Sequence, residues 1–377
     1  MDAIGLTQKL VQFDTRNPPG NEDACARFLD TILREAGYDV QQHAFGAERT
    51  SLIARGPGTP DRPPICLSGH LDTVPLGEAD WTRDPLAGTI AGDRLYGRGS
   101  SDMKSGVAAM VVAACAVGPH PEVCLVLTAG EENGCEGAQF LADQGLLPAP
   151  MGALVVGEPT ANEPLVGHKG VLWLEITVPG RAAHGSTPEL GDNAVNKAAR
   201  LVQQLAAFQF EVGSHPVLGT PTLNVGTIQG GVNINSVPDR AVIGVDIRTV
   251  PGLGHAAIID AVARCSTEAI RITPLADMAS VATDPSHAWI QTVFDVVATH
   301  TGQRPVPRGA SYFTDAAALR SVGSPPPTVI LGPGEPSQAH QTDEFVLLPR
   351  IDVAVAIYTS LLRAWCDGPS TGVAPEQ

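Results

Sequence analysis

The chain of 377 residues is 43 % hydrophobic and 17 % charged, with a formal net charge of −16. This balance excludes a disordered chain and argues against nucleic acid, whose phosphates need a basic surface, and against an anionic membrane. The length exceeds one ordinary core, so two domains are expected.

Met1-Asp2-Ala3-Ile4-Gly5 shows no basic segment followed by an apolar one, so no signal peptide is read and a cytoplasmic location is expected. No apolar run reaches the length of a bilayer span. Asn21 is placed to cap a helix ending near Ala36, with Cys25, Phe28, Leu29, Ile32, Leu33 and Ala36 on one apolar stripe. Seven cysteines without a Cys-x-x-Cys pair read as small core residues in a reducing compartment. Cys135 is read as packed under its loop.

Ile65-Cys66-Leu67 predicts a buried strand that delivers His70 to a sheet edge, with Asp72 two residues on. A Gly-rich stretch around Asp102 leads into Ser105–Val117, which is nearly all Ala, Val and Met and predicts an interior helix. Further apolar strands are expected over 123–129, 154–156 and 328–331, followed by Glu131-Glu132, by Glu158 and, more distantly, by His340. Metal-capable residues past the C-terminal ends of such strands lie where open α/β sheets bind ligands, so a mostly parallel sheet with helices on both faces is predicted.

Between Gly170 and about Ala279 the texture changes. Leu172–Val178 alternates apolar and polar, and the order strand–helix–strand–strand–helix–strand predicts a ferredoxin-like α+β domain. The expected division is a metal-binding domain of residues 1–170 and 280–377, interrupted by 171–279. The last residues, 367–377, read as a loose tail.

His70, Asp102, Glu131, Glu132, Glu158 and His340 are thus candidates for one site. Converging carboxylates would repel one another without a cation, and two metals about 4 Å apart sharing one carboxylate resolve that conflict. The histidine and carboxylate donors suit zinc, with cobalt and manganese as alternatives. Asp102, in a strand-to-helix loop, is the best candidate for the bridge. Glu131 and Glu132 are neighbours and cannot present the same face in extended chain, so one can bind metal while the other serves as general base.

The segments His70-Leu71-Asp72-Thr73-Val74-Pro75, Gly97–Lys104, Glu131-Glu132, Gly157-Glu158-Pro159-Thr160 and Gln338-Ala339-His340 resemble the dinuclear zinc deacylases. That family includes acetylornithine deacetylase and succinyl-diaminopimelate desuccinylase, with aminoacylases and glutamate carboxypeptidases as relatives. The resemblance implies one zinc on His70 and Glu158, another on Glu132 and His340, and Asp102 between them. It also implies that Asp72 supports His70, that Glu131 is the base, and that His184 stabilises the oxyanion, across the subunit boundary in dimeric members. Arg248, Asn235 and backbone N–H groups at Gly332 and Gly334 are candidates for binding a substrate carboxylate. The inserted domain resembles the family's lid, through which a homodimer is implied. The implied reaction is hydrolysis of an N-acyl amino acid, closest to acetylornithine deacetylase. The desuccinylase, a dipeptidase or a carboxypeptidase are the alternatives, as is a non-catalytic binding protein on the same scaffold.

Overall fold

The computed structural model describes residues 2–320 and 324–368, so most of the expected tail lies outside the described residues. The chain forms two compact units: one up to Gly167 with Ala282–Arg308 and the residues from Thr314, the other His168–Val281 with Gly309–Phe313. In chain order, α1 (Ala3–Val11) and α2 (Asp23–Glu35) precede β1 (Asp39–Gly46), β2 (Arg49–Arg55) and β3 (Ile65–His70). After α3 (Ser105–Val117) come β4 (Val123–Thr128), α4 (Glu136–Asp143) and β5 (Ala153–Val156). The second unit holds β6 (Gly170–Pro179), α5 (Ala194–Ala206), β7 (Thr222–Gly230), β8 (Arg240–Thr249), α6 (His255–Arg264) and β9 (Arg271–Met278). The chain then returns through α7 (Ala288–Thr301), α8 (Ala316–Leu319), β10 (Thr328–Ile330) and α9 (Leu348–Asp367).

The main sheet of the first unit has the order β1-β2-β4-β3-β5-β10. Strands β4, β3, β5 and β10 run parallel, and the β1–β2 hairpin adds an antiparallel edge. Every residue of β3, β4 and β5 is buried, as in a sheet covered on both faces. The chain leaves β3 for β4 on one side and reaches β5 on the other, so the C-terminal end of β3 lies at a topological switch point. The sequence reading misses the hairpin, because Gln41, Gln42 and His43 interrupt any apolar alternation in β1. It also passes over α1 and misplaces the cap of α2. Glu22, not Asn21, occupies that position, and its buried carboxylate turns inward to Arg49 at 2.9 Å instead of capping.

The α3 helix is apolar all round. Ser100–Val117 is long and apolar enough to suit a bilayer, contrary to the reading above, but 72 % of that stretch is buried inside the protein. Its Gly106 lies against the end of β5, where an added Cβ would fall 2.2 Å from the Gly157 carbonyl oxygen. A Cβ on Gly332 would meet the same oxygen at 2.2 Å, so two glycines let neighbouring backbones close on the turn that carries Glu158. Gly106→Ala is expected to destabilise the protein by roughly 1–3 kcal/mol through overpacking, read as a lower urea midpoint.

In the second unit the antiparallel sheet runs β7-β8-β6-β9, the ferredoxin-like order. Leu172, Leu174, Ile176 and Val178 of β6 and Ala241, Ile243, Val245 and Ile247 of β8 point to one face, where Ala198, Leu201, Ile258 and Val262 of the helices cover them. Asn193 caps α5 by accepting from the Asn196 amide. Segment 309–313, which the sequence assigns to the other domain, belongs here. Lys169 donates its amide to the Ala310 carbonyl at 3.0 Å, and Phe313 meets Trp173 edge-on with ring centroids 6.2 Å apart.

Candidate metal centre

Strand β3 ends at His70, and two further loops bring the carboxylates of Asp102 and Glu158 to it. The His70 Nε2 lies 3.2 Å from Asp102 Oδ1 and 3.8 Å from Glu158 Oε2. On the other side of the same aspartate, His340 Nε2 lies 3.6 Å from Asp102 Oδ2 and 3.1 Å from Glu132 Oε2. The two oxygens of Asp102 therefore face two different histidines. In each triad, His70–Asp102–Glu158 and Asp102–Glu132–His340, the potential ligand atoms lie within 4.8 Å of one another. Backbone geometry assists: His340 sits in the left-handed region at φ 63°, which turns the chain sharply where its ring enters the site.

Asp72 organises the centre from beneath. Its Oδ1 accepts from the Glu131 amide at 3.0 Å and its Oδ2 from the Glu132 amide at 3.1 Å, so one buried carboxylate fixes both glutamates. The shorter contact of His70 Nδ1 is to the Asp72 backbone carbonyl at 3.0 Å, with the carboxylate at 3.6 Å. Either contact fixes the ring so that Nε2 faces the acids. Asn17 donates to Asp72 Oδ2 at 2.9 Å and accepts from Asn133 at 2.6 Å. Nothing in the sequence marks Asn17, which lies 55 positions from its partner.

The electrostatics of the bare side chains are those of crowded buried acids. Burial raises Glu158 to about 7, although His70 opposes the shift. Burial likewise raises Glu132 and lifts Glu131 well above the usual carboxylate range, with Glu158 and Glu132 adding to the effect on Glu131. For His70 burial disfavours the charged ring, but hydrogen bonds to Asp102, Asp72 and Glu158 outweigh it and hold its pKa well above the ordinary value. Glu132 Oε1 is buried with no hydrogen-bond partner. Two imidazoles and three carboxylates, one of them double-faced and one with an orphaned oxygen, fit divalent cations that take nitrogen and oxygen ligands.

Asp315, just before α8, is a further acid that the sequence does not single out. It is buried, accepts from the Thr128 hydroxyl at the end of β4, and is raised by burial to about 6. Cys135 is fully buried and belongs to neither triad.

The remaining candidates are placed differently. Gly332 does not offer a free N–H: it donates to Thr160 Oγ1 at 3.1 Å, and its lack of a side chain serves close packing. An added Cβ on Gly334 would fall 2.2 Å from the Ser101 carbonyl oxygen, so it too marks a close backbone approach. His184, Asn235 and Arg248 all belong to the second unit. The fork of Arg248 is taken up by Asp246, at 2.9 and 3.1 Å. Asn235 is exposed, and its carbonyl accepts from the Gly185 amide at 2.7 Å. His184 is exposed, and its Nδ1 lies 2.7 Å from the Ser186 hydroxyl and 3.2 Å from the Ser186 amide.

The profile of Peptidase family M20/M25/M40 matches residues 66–364. A probable succinyl-diaminopimelate desuccinylase of Staphylococcus epidermidis is 30 % identical over 97 % of this chain and 98 % of its own. An acetylornithine deacetylase of Vibrio cholerae is 29 % identical over 97 % of both chains. Among solved structures, an M20 family metallo-carboxypeptidase from Sulfolobus solfataricus shares the fold with a TM-score of 0.78 at 18 % identity, covering 96 % of this chain and 99 % of that one. The match spans the strands and loops that assemble both triads, and the chain belongs to peptidase family M20/M25/M40, a family of metal-dependent hydrolases.

Proposed function

We propose that this protein hydrolyses the amide bond of N-acyl amino acids, acting as a deacetylase on two divalent cations, zinc before cobalt or manganese. The observation that carries the reading is Asp102, whose two carboxylate oxygens face His70 and His340 separately. His70 and Glu158 would hold one cation, Glu132 and His340 the other, and Asp102 both. When bound, the cations supply Lewis acidity toward the acyl carbonyl and toward the attacking water.

The residues of the chain do the rest. Glu131 stands outside both triads with its backbone clamped by Asp72, so its carboxylate is available to take a proton from water and return it to the leaving nitrogen. With Nδ1 engaged by Ser186, His184 would donate from Nε2 to a developing oxyanion. Arg248 would meet a substrate carboxylate only by sharing its guanidinium with Asp246, and Asn235 is a second candidate for the same group. For association, β7 lies at the edge of its sheet, and Val232 and Ile234 beyond it are 97 % and 104 % exposed. A homodimer through this unit follows from the same reading.

The names of the relatives support a deacylase and divide between acetyl and succinyl substrates. A panel of N-acetyl amino acids, N-succinyl amino acids and dipeptides, read as kcat/KM, tests the choice. The acetyl series is expected to exceed the others by at least about tenfold, which corresponds to about 1.4 kcal/mol in the transition state. A preference for succinyl substrates or dipeptides would replace the deacetylase reading with that activity.

A further inference from the structure

Glu344 is fully buried four residues beyond His340, and no step above uses it. Its Oε2 accepts from Arg98 Nη1 at 2.7 Å and from the Gly99 amide at 2.9 Å. Its Oε1 accepts from the Ser101 amide at 2.8 Å and the Asp102 amide at 3.0 Å. Three amides of one loop thus converge on a single carboxylate, as backbone N–H groups do around an anion. The grip is reciprocal. The Gly97 amide donates to the Glu344 carbonyl at 2.9 Å, and Ser101 Oγ accepts from the Glu335 amide at 2.6 Å.

We infer that Glu344 is a positioning residue for the cation centre, fixing the backbone of Asp102 relative to His340 through these amide hydrogen bonds. The inference rests on the proposed role of Asp102 as the shared ligand. An ion pair as buried as Arg98–Glu344 is weak as a source of stability, because desolvation offsets its attraction. Its geometry has a clearer use. The carboxylate of Asp102 must face two histidines at once, and a ligand aimed in two directions tolerates little freedom in its backbone.

The test separates the amide bonds from the ion pair. Arg98→Met is combined with Glu344→Gln or with Glu344→Leu, so that neither variant leaves a stranded interior cation. Both remove the charge, but Gln still offers one carbonyl oxygen to the Ser101 and Asp102 amides. The full chain, stripped by chelation, is titrated with Co2+ by calorimetry and visible absorption, with circular dichroism to establish folding. Wild type is expected to take two equivalents. The Leu variant should bind the weaker equivalent about 10- to 100-fold less tightly, the usual range for supports behind ligands, and the Gln variant less than tenfold. Equal losses in the two variants would assign the effect to the ion pair and overturn the inference. If only the Gln variant folds, an affinity within tenfold of wild type supports the inference and a larger loss assigns the effect to the ion pair and overturns it; if neither folds, Glu344 is an anchor of the whole unit and the inference falls. Failure of wild type to take up Co2+ at all would instead remove the shared-ligand reading of Asp102.

Discussion

Glu131→Gln is expected to lower kcat by about a thousandfold while leaving cation content at the wild-type level, since a positioned general base contributes on the order of 10²–10⁴. The reason lies in how the two adjacent glutamates part company. Asp72 holds both amides, yet only Glu132 reaches His340, and Glu131 belongs to neither triad. Removing its charge therefore spares the ligands and withdraws the proton acceptor. Its upward pKa, set first by burial, describes the side chains without cations. Bound cations reverse that local field and return the carboxylate toward its ionised form. Metal analysis beside steady-state kinetics checks the prediction. Turnover within tenfold of wild type would pass the role to another acid, of which Asp315, whose charge also raises Glu131, is a candidate.

Exhaustive chelation is expected to abolish turnover, and Asp102→Ala to do the same while releasing most of the cation. The pH dependence of cation uptake follows from the crowded acids. Without a cation Glu158 titrates at about 7 instead of 4.5, and Glu131 and Glu132 are raised as well, chiefly by burial. Protons on Glu158, Glu132 and His70 must leave before these groups can bind a cation. Affinity is therefore expected to fall as pH drops through about 7, with more than one proton released per protein on loading. Glu158 has a raised folded-state pKa, so its contribution to the stability of the cation-free fold is present below about 4.5 and lost as pH rises through about 7. Added cation should restore it. Calorimetry in two buffers of different ionisation enthalpy counts the released protons, and a count of zero would contradict the picture of shared, buried acids.

Much of this was legible in the chain itself. The fully apolar runs in β3, β4 and β5 announced buried parallel strands, and the acids placed just past them pointed to one edge of the sheet. Alternation in β6 and β8 announced a sheet with one covered face. These are local periodicities, and local burial writes them directly into the order of side chains. Where a strand carries no such pattern, as in β1, the same reading sees nothing.

Partnership over distance was decided by the tertiary structure alone. That Asn17 meets Asp72, that Asp72 clamps two amides about sixty positions away, and that Glu344 gathers the loop before Asp102 follow from packing. So do the capture of Arg248 by Asp246 and the use of the Gly332 amide by Thr160. Sequence determined which residue types stand at which strand ends, because hydrophobic burial acts on runs of neighbours. Only the fold determined which oxygen faces which nitrogen, because that choice depends on crossings and close approaches between segments that share no local pattern.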